Sequence, residues 1–273
     1  METIRISMLQ SSVDCCRRAA SGQFQKLIGD DAGYALTQER TGVYTAMGTG
    51  AHAGVQNMLI HKILHGSLNN VQENIDMAIW EYDKSLQETP DVLYDNITGN
   101  QDIGRLQIEQ FVKHYQNDVA PFLKFPENAD PAKHIERHIV LQLKGYKVSG
   151  HIDVTPTRSI CDTKTGKALR ACHTQLGGYA NLAVSDGDEK PEQLIVHHLP
   201  RVSVGKPYPG TTTLSYPVDF CMNEAWYIIN QLIRDVENFK ASGNPACFQA
   251  NPNSMLCNEK YCRAYGTKFC EYH

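Results

Sequence analysis

GHIDVTPTRSICDTKTGK, residues 150–167, decides the reading of the fold. An alternating segment ends in Asp153, Thr-Pro-Thr turns the chain, and a second short strand ends in Asp162-Thr163-Lys164. Side chains two apart on a strand point to one face, so Asp162 and Lys164 share a side. Two carboxylates nine residues apart on neighbouring strands can converge on one hard cation. A lysine beside them suits phosphodiester hydrolysis, where positive charge must meet the negative charge that grows at phosphorus. Alone the pattern is weak, because an Asp followed 8–15 positions later by (D/E)-x-K arises about once by chance in a chain of this composition.

Working outward, His134–Leu143 alternates, with Ile135, Ile139, Leu141 and Leu143 on one face and Glu136, His138 and Gln142 on the other. Lys144-Gly145 reads as a hairpin turn into Tyr146–Val154, and Arg158–Lys164 follows as a third strand. Arg170–Ala183 reads as a helix whose Gly177-Gly178 pair signals close packing on the sheet. Gln193–Leu199 and Thr211–Tyr216 are further strands, and Asp219–Lys240 is a long helix. Upstream, helical periodicity marks Ala51–His65, Glu73–Leu86 and Gly104–Tyr115. The order predicts an α/β fold, a mixed sheet flanked by helices, with helices ahead of it and an irregular tail after Gly243.

The chain has 273 residues, 26 Lys+Arg against 30 Asp+Glu and a net charge of −4, so any polyanion must be held by a local patch. Residues 73–127 carry 11 acidic and 4 basic side chains, which leaves the remainder net +3. Arg158, Lys164, Lys167 and Arg170 against Asp162 make one such patch. Lys240, Lys260, Arg263 and Lys268, against Glu259 and Glu271, make a second, interleaved with Tyr261, Tyr265 and Phe269. No stretch approaches the ~20 apolar residues of a membrane span. The first residues lack a charged and then apolar leader, so an intracellular, cytoplasmic place is expected.

Nine cysteines, an odd number, argue against a disulfide framework in such a place. Cys257, Cys262 and Cys270 crowd the tail, and Cys15-Cys16 sit near the start. Clustered thiols in a reducing compartment suit a soft metal or an iron–sulfur cluster. Cys161, Cys172 and Cys221 fall inside predicted elements and read as small core residues.

Three further segments complete a pattern. MGTGAHAGVQ (47–56) places His52 at the start of a helix. QLGGYA (175–180) puts Gln175 and Tyr179 on one helical face, 11 residues past Lys164. SSVDCCRRA (11–19) precedes them. Together with GHIDVTPTRSICDTKTGK these resemble the RecB-like nucleases of the PD-(D/E)XK superfamily, in particular the iron–sulfur type related to AddB and the CRISPR-associated exonucleases. The resemblance spans residues 11 to 270. It implies a restriction-endonuclease-like core in a single nuclease domain over 1–273, with an acidic helical insertion at 66–130 and a catalytic core at 131–200. A Cys-rich tail at 241–273 closes onto the N-terminus.

By that resemblance the activity is a metal-dependent DNA exonuclease acting on single strands or DNA ends in recombination, replication or repair. Mg²⁺ or Mn²⁺ is held by His52, Asp153 and Asp162; Lys164 positions water and stabilises charge, and Gln175 and Tyr179 orient water or substrate. Cys15, Cys257, Cys262 and Cys270 hold a 4Fe–4S cluster. The tail spacing, C-x4-C-x7-C, exceeds the family's usual C-x2-C-x5-C by two in each gap, which keeps Zn²⁺ as the alternative occupant. Cys16 competes with Cys15, and Glu136 stands either as a ligand or as strand support. DNA is the expected partner, with a protein partner or a homo-oligomer compatible, and a stand-alone nuclease of this kind suits a phage or mobile element. The alternative from another class is a non-catalytic or CRISPR-adaptation-type DNA-end-binding subunit that retains the fold.

Overall fold

The computed structural model describes residues 1–38, 41–89 and 91–271. It folds the Gly150–Lys167 stretch into two adjoining strands of one six-stranded mixed sheet. The strands are β1 (Thr3–Arg5), β2 (Ile135–Leu143), β3 (Tyr146–Val154), β4 (Ser159–Gly166), β5 (Gln193–Pro200) and β6 (Thr212–Tyr216). β2 and β3 form the expected hairpin, Ile135 opposite Val154 and Leu143 opposite Tyr146, with Lys144 and Gly145 both at positive φ in the turn. β1 runs parallel to the first half of β3. β4 pairs in parallel with β5 along its whole length, and β6 closes the edge antiparallel to β5.

β3 meets β4 at one ladder pair, Val154 opposite Cys161. There the strands part, and the Thr163 N–H donates to the Asp153 carboxylate at 2.7 Å. A side chain thus satisfies a buried donor that lies just beyond the last ladder pair, which fixes where Asp153 points.

Helices α1 (Leu9–Asp14), α2 (Cys16–Gln23), α3 (Val43–His65), α4 (Val71–Glu88), α5 (Gln101–Asp118), α6 (Pro131–His134), α7 (His173–Ser185) and α8 (Val218–Ser242) surround the sheet. Each face has its own core. Ile4, Ile6, Leu176, Leu232, Phe239 and Phe269 join the chain ends, α7 and α8 to one face. Met47, Leu59, Tyr82 and Phe111 of α3, α4 and α5 cover the other, over Ile135, Val154 and Leu199. Cys161, Cys172 and Cys221 are buried as small core residues. Among the described residues no helix is long and apolar enough to cross a membrane.

Three expectations change in detail. His52 lies inside α3, which begins nine residues earlier, at Val43. Gly50 does not open the helix: it and Gly54 let it lie against α4, since a Cβ on them would come within 2.6 Å of Ala78 O and 2.9 Å of Asn74 O. Residues Arg170–Cys172 precede α7 rather than forming its first turn. The Gly177-Gly178 pair serves helix packing and not the sheet, with Gly177 against the Cys221 carbonyl of α8 and Gly178 against Ile6. β1, three residues long, is too short to show a strand period and is a strand by its pairing with β3.

Candidate active site

Four elements bring the predicted residues together where β3 and β4 part. Asp153 comes from the end of β3, Asp162 and Lys164 from β4, His52 from α3, and Glu136 from β2. Asp162 is wholly buried and Asp153 nearly so. Lys164 Nζ lies 2.9 and 2.8 Å from the two Asp162 oxygens. Gln175 on α7 reaches Asp162 Oδ1 at 3.4 Å and donates to the Tyr179 hydroxyl at 2.7 Å. Tyr179 packs on β3, where Gly150 leaves room: a Cβ there would sit 2.9 Å from the ring.

His52 lies between the strands. Its Nε2 is 2.9 Å from Thr163 O, and its Nδ1 is 3.4 Å from Glu136 Oε1 and 3.6 Å from Asp153 Oδ2. Ligand atoms of His52, Glu136 and Asp153 all lie within 4.8 Å of one another. Glu136 is therefore the residue whose part sequence reasoning left open and which the geometry brings into the site. It faces Asp153 across the hairpin register, and its backbone is left-handed, φ +48°. A non-glycine residue held there costs roughly 1 kcal/mol or more and is found where the surroundings demand it.

Buried like charges set the electrostatics. Burial pushes the Asp162 carboxyl up to about 6, against the pull of Lys164, with Asp153 adding to the rise. Burial raises Asp153 too, opposed by His52 and Lys164. Burial disfavours the His52 imidazolium, yet Asp153 and Glu136 outweigh it and raise the ring to about 9. Lys164 likewise loses solvation, but Asp162 and Asp153 hold its ammonium above the ordinary range. Burial lifts the Tyr179 phenol well above its usual value, so it stays protonated. A site with this excess of confined carboxylate fits a hard divalent cation, with imidazole and carboxylate oxygens as the donor set.

The other histidines lie elsewhere. His138 is exposed and stacks on His151 at 4.2 Å, and His134 contacts Thr155 O at 2.6 Å. His197 packs edge-on to Tyr115, whereas His198 faces Gly166 O, so the pair points to two different sides.

A second cluster joins the chain ends. Cys15, Cys257, Cys262 and Cys270 line one cavity with Arg18, Asn251 and Ser254. Asn251 N–H donates to Cys15 Sγ at 3.4 Å, while the Asn251 amide and Ser254 hydroxyl donate to Asp14. Cys16 faces away, toward Asp235 of α8 at 3.6 Å, and burial with that carboxylate pushes its thiol up to about 12. Burial also raises Cys262 to about 11, with Cys15, Cys270 and Cys257 adding to it. A thiol whose ionisation its neighbours hinder, as at Cys262, fits a cationic metal group, which would collect the set as thiolates. Among the described residues, no three of these sulfurs lie within 4.8 Å of one another.

No family model matches the chain, and no curated protein does. Among solved structures, a protein titled "Putative exonuclease" from Eubacterium rectale is similar at a TM-score of 0.58 and 9% identity, over 94% of this chain and 87% of that one. At that identity the likeness is one of fold: an α/β mixed sheet flanked by helices, running nearly end to end.

Proposed function

We propose that this chain is a metal-dependent deoxyribonuclease of the PD-(D/E)XK type, working as an exonuclease on single-stranded DNA or DNA ends. The observation that carries the reading is the convergence of His52, Glu136, Asp153, Asp162 and Lys164 from four separate elements. The exonuclease named for the similar fold agrees with it. Asp153, Asp162 and His52 would hold Mg²⁺ or Mn²⁺, with Glu136 as a further ligand. Such an ion, when bound, polarises a phosphoryl oxygen and makes a nucleophile available at neutral pH. Lys164 keeps its proton, so its ammonium orients the attacking water and offsets charge growing at phosphorus. Gln175 and Tyr179 present an amide and a phenol to water or to the strand. The whole chain acts as one nuclease domain.

Cys15, Cys257, Cys262 and Cys270 would hold a 4Fe–4S cluster that ties the tail to the N-terminus.

The test is a gel of 5′- and 3′-labelled single- and double-stranded DNA with Mg²⁺ or Mn²⁺, beside Asp162→Asn and Asp162→Ala. Wild type should shorten the labelled strand, and the end that is lost gives the polarity. Both variants should lose at least about 10³-fold in rate; the asparagine, which keeps the shape beside Lys164, should melt close to wild type. Salt-dependent binding without cleavage in either metal would instead favour the end-binding subunit.

A further inference from the structure

A groove passes the mouth of the site. It is lined from the first turn of α3, from residues 164–172 between β4 and α7, from the end of β5 and from the tail. Six of its lining side chains are Lys or Arg and one, Asp95, is acidic, although the chain as a whole is net −4. Asp95 is already engaged, since Arg201 grips both its oxygens at 2.8 and 2.6 Å. Arg18 and Lys164 are paired as well, with Asp14 and Asp162, so among the described residues Lys167, Arg170 and Lys260 are the cations of this wall left to face something outside the protein, in the same lining as Lys164 at the catalytic end.

Two tyrosines share this wall with the cations. Tyr44 is 42% exposed, and its ring lies over Gly42, where a Cβ would come within 2.1 Å of it. Only a glycine leaves the ring that position. Tyr261 lies on the tail beside Lys260, whose ammonium is 5.1 Å from the ring centroid. Cations alone would serve any phosphate backbone. Aromatic faces interleaved with cations serve a strand whose bases are unpaired and free to stack, each stack being worth roughly 1–3 kcal/mol.

We propose that the groove is the track of a single polynucleotide strand, with bases stacked on Tyr44 and Tyr261 and phosphates following Lys260, Arg170 and Lys167 to Lys164. This rests on the nuclease reading and names its substrate as an unpaired strand.

The experiment measures fluorescence anisotropy of the full-length protein in EDTA, so that nothing is cut. The probes are labelled oligo(dT), a duplex of equal length, and an oligo of abasic spacers with the same phosphates. Oligo(dT) should bind tightest. Tyr44→Ala and Tyr261→Ala should each weaken oligo(dT) about tenfold, leave the abasic strand and the duplex unmoved, and be rescued by Phe. Lys260→Ala should weaken all three and reduce the salt slope by roughly 0.7 on single strands. Duplex binding equal to or tighter than oligo(dT), or tyrosine variants that leave oligo(dT) unchanged, overturns the track. Cleavage in Mn²⁺ separates the two readings. Tyrosine-dependent binding without cleavage would sink the nuclease and keep the track, whereas cleavage indifferent to both tyrosines would do the reverse.

Discussion

Glu136 shows how much of the site turns on a single backbone angle. It stands at φ +48° between the ladder pairs Ile135–Val154 and Arg137–Ile152, with its carboxylate beside Asp153 and His52. Glu136→Gln keeps the shape and removes the charge. It should raise the Mn²⁺ concentration needed for half-maximal cleavage by about 10–100-fold with an unchanged melting temperature, as metal titration of the nuclease rate will show. Stability carries a second residue-scale signature. Burial lowers His197 to about 4 from an ordinary 6.5, so between those values the unfolded chain binds a proton that the native chain refuses. The stabilisation is whole above pH 6.5 and shrinks as pH falls toward 4, by up to about 3 kcal/mol. Urea midpoints across pH 4–7 should fall on the acid side, and His197→Phe should flatten that slope. A slope unchanged by the substitution would place the acid lability in other groups.

Among the elements, α7 carries the heaviest constraint, because it presents Gln175 and Tyr179 to the sheet while pressing Gly177 onto the backbone of α8. A Cβ on Gly177 would lie 1.9 Å from the Cys221 carbonyl oxygen, which cannot rotate aside as a side chain could. Gly177→Ala should therefore cost about 3 kcal/mol and reduce cleavage, whereas Gly22→Ala, in α2 with nothing within 4 Å, should gain about 0.5–1 kcal/mol. Paired thermal melts decide both signs. The same elements show what the sequence could and could not reveal. The β2–β3–β4 run was legible because period-two alternation and the Lys144-Gly145 turn are local facts, and Asp153, Asp162 and Lys164 came with it. The start of α3 was not, since Gly50 reads locally as a helix boundary and only the approach of α4 explains it. β1 is three residues long and exists because β3 offers it an edge. Glu136 could be flagged but not given a part, because that depends on one left-handed residue and on a helix from 84 positions earlier crossing above it. Cys15 and Cys16 are indistinguishable by spacing, and Asp235, 219 residues away, separates them.

At the scale of the whole molecule, the sheet is held between α3, α4 and α5 on one face and the two chain ends on the other. Arg17 donates to the Phe248 carbonyl at 3.1 Å, Thr37 pairs with Arg263, and the rings of Tyr34, Phe239, Phe248 and Phe269 pack into one another beneath them. The four-cysteine cavity sits at this junction, and the loop between Cys257 and Cys262 is the one that brings Lys260 and Tyr261 to the groove. A group bound there would close a loop of nearly the full chain, for which the entropy of the unfolded state alone gives about 5 kcal/mol on a crosslink model. In a chain of this size that corresponds to roughly 9 °C in melting temperature. Anaerobically purified wild type should be brown, with iron and sulfide in equal amounts. Cys15→Ser, Cys257→Ser, Cys262→Ser and Cys270→Ser should each lose the colour and the stability together and expose the tail to protease. Cys16→Ser should keep both, because its thiol faces Asp235 and not the cavity. One zinc per chain in colourless protein would replace the cluster with a tetrahedral site that draws the sulfurs closer. Colourless, metal-free protein whose melting is indifferent to Cys15→Ser would show that packing alone unites the chain ends.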